Sequence, residues 1–225
     1  MNANFSDASR KVGVVSAFGL AALTFAYVLV LGAGLLSLTD KNAQISDPWF
    51  SLLEILILLI APLFVSLFAA LHDWAPPTAK TLSRVALCFA LLLAGVTCCV
   101  HFTILTVSRA TVADEGMGDL LFAFKWPSAA YALDILAWDV FFPLAALFAA
   151  PLFFGSPLRT TIRFILIASG LLALAGLSGV VLNDMQWRNI GIIGYAIVFP
   201  IAAALIGLVF LRSPASSQVK DSGNA

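Results

Sequence analysis

The stretch WFSLLEILILLIAPLFVSLFAAL, residues 49–71, decides the fold. It is an apolar run whose charged side chain is Glu54, and it is as long as the roughly 20 residues a helix needs to cross a hydrocarbon core. A bilayer offers no hydrogen bonds to a bare backbone, so a segment of this kind closes its own bonds as an α-helix. Working outward, five more runs of the same character lie at residues 12–38, 85–107, 127–154, 162–182 and 190–211. Alternating strand patterns of the length a membrane barrel requires are absent from the sequence. The expectation is an all-α, membrane-embedded bundle of six transmembrane helices. It forms one domain over residues 1–212, followed by a disordered polar tail, SPASSQVKDSGNA, at 213–225.

Composition agrees. Of the 225 residues, 61% are hydrophobic and 11% charged, against about 25% charged in an ordinary soluble domain. The mean hydropathy is +1.02. Twelve basic and twelve acidic residues balance, and no basic stripe or arm points to nucleic acid. The partner implied is the lipid bilayer. The first run follows Arg10 and Lys11 but exceeds the roughly 7–15 residues of a signal-peptide core, so it reads as a retained helix. The cysteines, Cys88, Cys98 and Cys99, all lie in one apolar run and read as packing residues rather than a disulfide framework.

Orientation follows from lysine and arginine in the short connections. With a cytoplasmic N-terminus, Arg10, Lys11, Lys80, Arg84, Arg159, Arg163, Arg212 and Lys220 fall inside. Lys41, Arg109, Lys125 and Arg188 fall outside. The imbalance places both termini in the cytoplasm and the chain in the cytoplasmic (inner) membrane. Asp40, Asp47, Asp114, Glu115, Asp119 and Asp184 make the outer mouth acidic. Trp49, Trp74, Trp126 and Trp187 fall at predicted membrane edges, where an amphipathic ring is favoured; Trp138 falls mid-helix. The longest connection, residues 108–126, turns apolar at its end and reads as a short interfacial helix, as a lid over the outer mouth, or as a plain connector.

Charged groups within apolar spans are costly and normally face the bundle interior. At 1.5 Å per residue, Glu54 lies about 7 Å below the outer edge of its span, His101 and Asp134 about 10 Å down theirs, and Asp139 about 18 Å down. Asp184, beside Asn183, closes the outer end of the fifth span. Polar groups from several helices thus share one half, which implies a polar cavity open to the outside and capped below by apolar packing. Tyr131, Asp134 and Trp138 share a helical face. Asp139, five residues after Asp134, points about 140° away on an α-helix, so paired carboxylates are not expected. Pro143 leaves the carbonyl of Asp139 without its helical donor, and Pro200 is expected to bend the sixth span. Gly170, Gly176, Ser178 and Gly179 read as packing residues that let helices approach. Asp184 and Arg188, four apart, can pair if a helix continues through the connection.

The candidate ligand- or proton-binding set is Asp134, Asp139, His101, Glu54 and Tyr131. A metal reading of His101 with these acids has no HxxxH, HExxH or CxxC spacing behind it, so no metal is expected. No cofactor is expected either. Nucleotide loops, the GxSxG elbow and CxxCH are missing. The leading expectation is binding or transport of a small molecule, ion or proton through the outward-facing pocket. The alternatives are an integral membrane enzyme acting on a lipid or isoprenoid substrate, with the same groups as acid and base, and a non-catalytic subunit of a membrane complex. The segments CVHFTILTVSR, WPSAAYALDILAWDVFF and NDMQWRNIGIIGYAIVFP resemble stretches of bacterial six-helix integral membrane proteins of uncharacterised function. The resemblance covers spans two to six and implies the fold, with no activity to carry over. No residue matching is found between the two halves of the chain that would mark an inverted repeat.

Overall fold

Four of the helices begin where a short polar side chain closes the first turn. Ser6 accepts from the Ser9 amide at 3.0 Å, Ser128 from Tyr131 at 3.1 Å, Ser156 from Arg159 at 3.4 Å, and Asp184 from Gln186 at 3.0 Å. The computed structural model describes residues 5–38, 40, 45–110 and 115–214. Over these the elements are α1 (Asp7–Leu36), α2 (Trp49–Trp74), α3 (Lys80–Ala110), the short α4 (Glu115–Phe122), α5 (Ala129–Leu152), α6 (Pro157–Val181) and α7 (Met185–Arg212). No strand occurs among the described residues. All but α4 belong to six helical segments long and apolar enough to cross a membrane.

The helices α1, α6 and α7 begin about five residues before the apolar runs, because a capped polar turn extends a helix past the point where hydropathy falls. The extension at the start of α7 matters most, since it draws Arg188 into the helix. The connection over residues 108–126 does contain a short helix, α4, while residues 111–114 and the tail from residue 215 lie outside the described residues. Ser213, expected in the tail, is buried and accepts the indole N–H of Trp74 at 3.1 Å.

The two described chain ends meet at one end of the bundle, called here the terminal end. Phe5 packs on Phe210, and the Ser9 hydroxyl donates to Asp73 at 2.6 Å. Trp74, expected at a membrane edge, is instead buried here. It stacks on Phe153 with ring centroids 5.3 Å apart, under the guanidinium of Arg159. The middle of the bundle is aromatic. Phe64 stacks on Phe68 at 4.6 Å and touches Phe142 and Phe199. Outward-facing positions are strongly apolar, with Phe25 and Phe164 each 64% exposed and Val181 83%. Such a surface is the kind lipid covers.

Two parallel helices share a local device. In α5 the turn over Leu136–Phe141, and in α7 the turn over Ile193–Val198, widen to i→i+5 hydrogen bonding. Each widened turn runs straight into a Phe-Pro pair, Phe142-Pro143 and Phe199-Pro200. The missing proline N–H removes one i→i−4 bond, and a wider turn absorbs the defect. The sequences following are alike, FPLAA at 142–146 and FPIAA at 199–203, and their alanines are fully buried. The correspondence is between spans running the same way, so a search for an inverted repeat passes over it. Phe142 and Phe199 meet edge to face at 5.0 Å.

Candidate functional site

Four helices bring ionisable side chains to one point in the half of the bundle away from the termini. His101 of α3 stands between two carboxylates. Its Nδ1 lies 2.7 Å from Glu54 Oε2 of α2, and its Nε2 lies 3.3 Å from Asp134 Oδ1 of α5. Asp134 turns its other oxygen to Arg188 of α7, accepting from Nη2 at 2.6 Å. The Nε of Arg188 donates to Asp139 Oδ2 at 3.0 Å. The result is a continuous chain, Glu54–His101–Asp134–Arg188–Asp139, with every member no more than 5% exposed. The guanidinium also lies 4.6 Å from the ring centre of Tyr131, a cation–π contact.

The protonation of this chain is constrained by counting. An imidazole offers two N–H donors only as imidazolium; a neutral ring between two carboxyl groups requires one of them to carry a proton. One proton is therefore held along Glu54–His101–Asp134 in either case. Three carboxylates against one guanidinium and one such proton leave the cluster with a single excess negative charge when Asp139 is ionised.

Asp139 sits in a notch built by glycine. A Cβ on Gly191 would lie 2.3 Å from Asp139 Oδ1, and one on Gly176 2.5 Å from it. The Cβ site of Gly176 is also 3.0 Å from the Gly191 Cα. The glycines thus serve close packing of α6 on α7 and also make room for a carboxylate. Oδ1 is buried with no hydrogen-bond partner among the described residues.

All five residues singled out from the sequence are found in or against this cluster, but their arrangement differs from expectation in three ways. Arg188, expected in the outer connection within pairing distance of Asp184, is 3% exposed and reaches into the bundle. Asp184 caps the turn that follows it instead. Span five therefore contributes no charge to the cluster, and span six supplies its cation. Asp134 and Asp139 do share a partner. Five residues apart, they diverge on a regular α-helix, but the widened turn at Leu136–Phe141 brings positions i and i+5 closer to one face. Arg188 was missed because its charge shortened the apolar run. The available signal was a twelve-residue spacing to Pro200, matching that of Tyr131 to Pro143.

Beside the cluster lies a cavity of about 270 Å³. His101, Asp134 and Arg188 form its charged face, while Glu54 and Asp139 stand behind them and do not line it. Tyr131, Asp134 and Trp138 line it together, as their common helical face requires. The other walls are largely apolar and aromatic, including Tyr27, Phe64, Phe124, Tyr195 and Phe199. The space is thus amphipathic where a polar one was expected. Its floor toward the terminal end is closed by the packed rings of Phe64, Phe142 and Phe199.

Among the described residues, no three His, Cys, Asp or Glu side chains are grouped as a metal site requires. Thr97, one turn before His101, is buried with its hydroxyl bonded to none of the described residues. Cys98 is half-buried, and all three cysteines are free thiols. No family model, curated protein or solved structure matches the chain, so the site is read from its own chemistry.

Proposed function

We propose that this chain is a multi-pass protein of the cytoplasmic membrane that binds a small amphipathic molecule in the cavity beside Arg188. The observation that carries this reading is the cavity's composition: three ionisable side chains on one face, aromatic and aliphatic walls elsewhere. Ligand sites are commonly apolar hollows with a few convergent polar groups that fix orientation. Glu54 and Asp139 act as positioning residues, holding His101 and Arg188 from behind.

Both termini lie in the cytoplasm on this reading. Arg10, Lys11, Lys80, Arg84, Arg159, Arg163 and Arg212 gather toward the terminal end, and with Arg188 inside the bundle the opposite end is left, among the described side chains, with Lys125. The cavity then belongs to the outer half. Its closed floor favours binding over a through-path in this conformation; transport would need the Phe64–Phe142–Phe199 packing to open.

A second reading has an observation of its own. Every ionised member of the cluster already has a protein partner, as expected of a clamp that only holds four helices, such as a subunit of a membrane complex uses. Buried polar pairs of this sort can serve specificity rather than function. The two are separated by purifying the full chain in nanodiscs and identifying the small molecules retained. Wild type is compared with Ala196→Leu, which narrows the cavity without touching the cluster. A bound species lost on narrowing, with thermal stability unchanged, supports the binding site. A chain that retains nothing, and in which only cluster substitutions matter and only through stability, is a clamp.

A further inference from the structure

We infer that the cavity takes an uncharged amphiphile whose head is a flat, hydrogen-bond-accepting ring of the quinone kind, with its tail leaving sideways between α1 and α7. This rests on the binding reading above and specifies its ligand.

Charge excludes the alternatives first. The cluster is already one negative charge in excess when Asp139 is ionised, so an anionic head would add a second charge in a low-dielectric site. A cationic head would need a carboxylate, yet both oxygens of Asp134, the acid that faces the cavity, are engaged by His101 and Arg188. An uncharged head avoids both costs.

The spare hydrogen-bonding groups then define what the head carries. Arg188 uses Nε and Nη2 within the cluster. Its Nη1 makes no hydrogen bond to a described residue, and an arginine nitrogen can only donate. The hydroxyls of Tyr27, Tyr131 and Tyr195, all on cavity-lining residues, likewise make none to a described residue, and each can donate. A ring bearing carbonyl oxygens accepts from such groups. Trp138 and Tyr195, with centroids 5.1 Å apart, give it aromatic surface to lie against.

Size and access place the tail. A volume of about 270 Å³ falls below the roughly 300–1,000 Å³ of pockets that enclose a whole drug-sized molecule. It holds a ring head and leaves a long tail outside. At the terminal end α1 and α7 are in close contact, with Gly13 against Phe210 and Gly207 against Phe18. At the level of the cavity they draw apart, and Thr24 and Tyr27 face Ile192 and Tyr195 across it. The surface beyond is apolar, with Ile193 and Ile197 exposed. A tail leaving there would lie in lipid.

The test uses the full chain in nanodiscs with decylubiquinone as the probe, read by quenching of tryptophan fluorescence. Saturable quenching is expected in wild type, its saturable part lost in Trp138→Phe. The apparent Kd should rise at least about tenfold in Ala196→Leu and in Ile192→Phe, two independent ways of narrowing the same space. A quinone with an isoprenoid tail longer than the cavity should bind as well as the decyl compound, whereas dodecanoate and dodecyltrimethylammonium should not compete. Absence of saturable quenching in wild type, or its persistence in Trp138→Phe, overturns the inference; a fall in affinity with tail length overturns the sideways exit. If dodecanoate binds instead and is weakened by Ala196→Leu, the quinone class is wrong and the binding site stands. If no probe distinguishes wild type from either narrowed variant, the binding site falls as well.

Discussion

Arg188→Leu is the substitution on which the site most depends. The guanidinium makes two buried, charge-assisted hydrogen bonds, 2.6 Å to Asp134 and 3.0 Å to Asp139. Each such bond contributes about 1.5–3 kcal/mol, and the contact over Tyr131 adds about 0.5–2 kcal/mol. Leucine leaves Asp139 with no partner and Asp134 with His101 alone. Breaking one side of a buried ion pair typically costs about 3–5 kcal/mol. Protonation of the stranded carboxyl groups relieves part of the loss, so about 4 kcal/mol is expected. At about 2–4 °C per kcal/mol for a chain of this size, the melting temperature in detergent should fall by about 8–16 °C. Unfolding followed by tryptophan fluorescence measures it. The double variant Arg188→Leu/Asp139→Asn should recover part of the loss, because the carboxylate that was stranded is gone. Asp184→Ala, which removes only a cap, should cost about 1 kcal/mol or less. A loss for Arg188→Leu no larger than that of an exposed pair, about 1 kcal/mol, or the absence of coupling to Asp139, would refute the buried network and restore Arg188 to the surface.

The remaining expectations are narrower. Gly191→Ala places a methyl group 2.3 Å from Asp139 Oδ1, so thermal melts should show a loss of several kcal/mol, whereas Gly95→Ala, with nothing within 4 Å of its new Cβ, should stay within about 0.5 kcal/mol of wild type or gain slightly. Ser213→Ala removes the hydroxyl that accepts the buried Trp74 indole N–H and should cost about 0.5–1.5 kcal/mol in the same assay; no change would mean the chain end is loose. In a cysteine-free background, Thr160→Cys should react with a membrane-impermeant maleimide only after cells are opened, and Gln186→Cys in intact cells; the reverse pattern inverts the proposed orientation.

The number and approximate place of the long apolar helices were legible in the linear sequence. A helix closes its own hydrogen bonds, so residues 49–71 declare one without reference to any other part of the chain. Depth was legible for the same reason. Rise per residue is fixed, and counting from the span edges put Glu54, His101 and Asp134 in one half of the bundle, where the structure joins them directly.

Rotation about each helix axis and the choice of neighbours were not legible, because both are set by packing between segments far apart in the chain. Arg188 shows this. Its charge marked it as a connection residue, and in the structure it meets Asp134 and Asp139 inside the bundle, where α6 and α7 approach closely at Gly176 and Gly191. The pairing of Asp134 and Asp139 on one guanidinium needed a widened turn that regular helix geometry does not contain. Linear spacing was enough to assign the apolar helices and to put Glu54, His101 and Asp134 at similar heights along theirs, but not to place Arg188. The tertiary structure alone decided which charges meet and that they border an amphipathic cavity, because side-chain direction depends on non-local contacts that linear spacing does not encode.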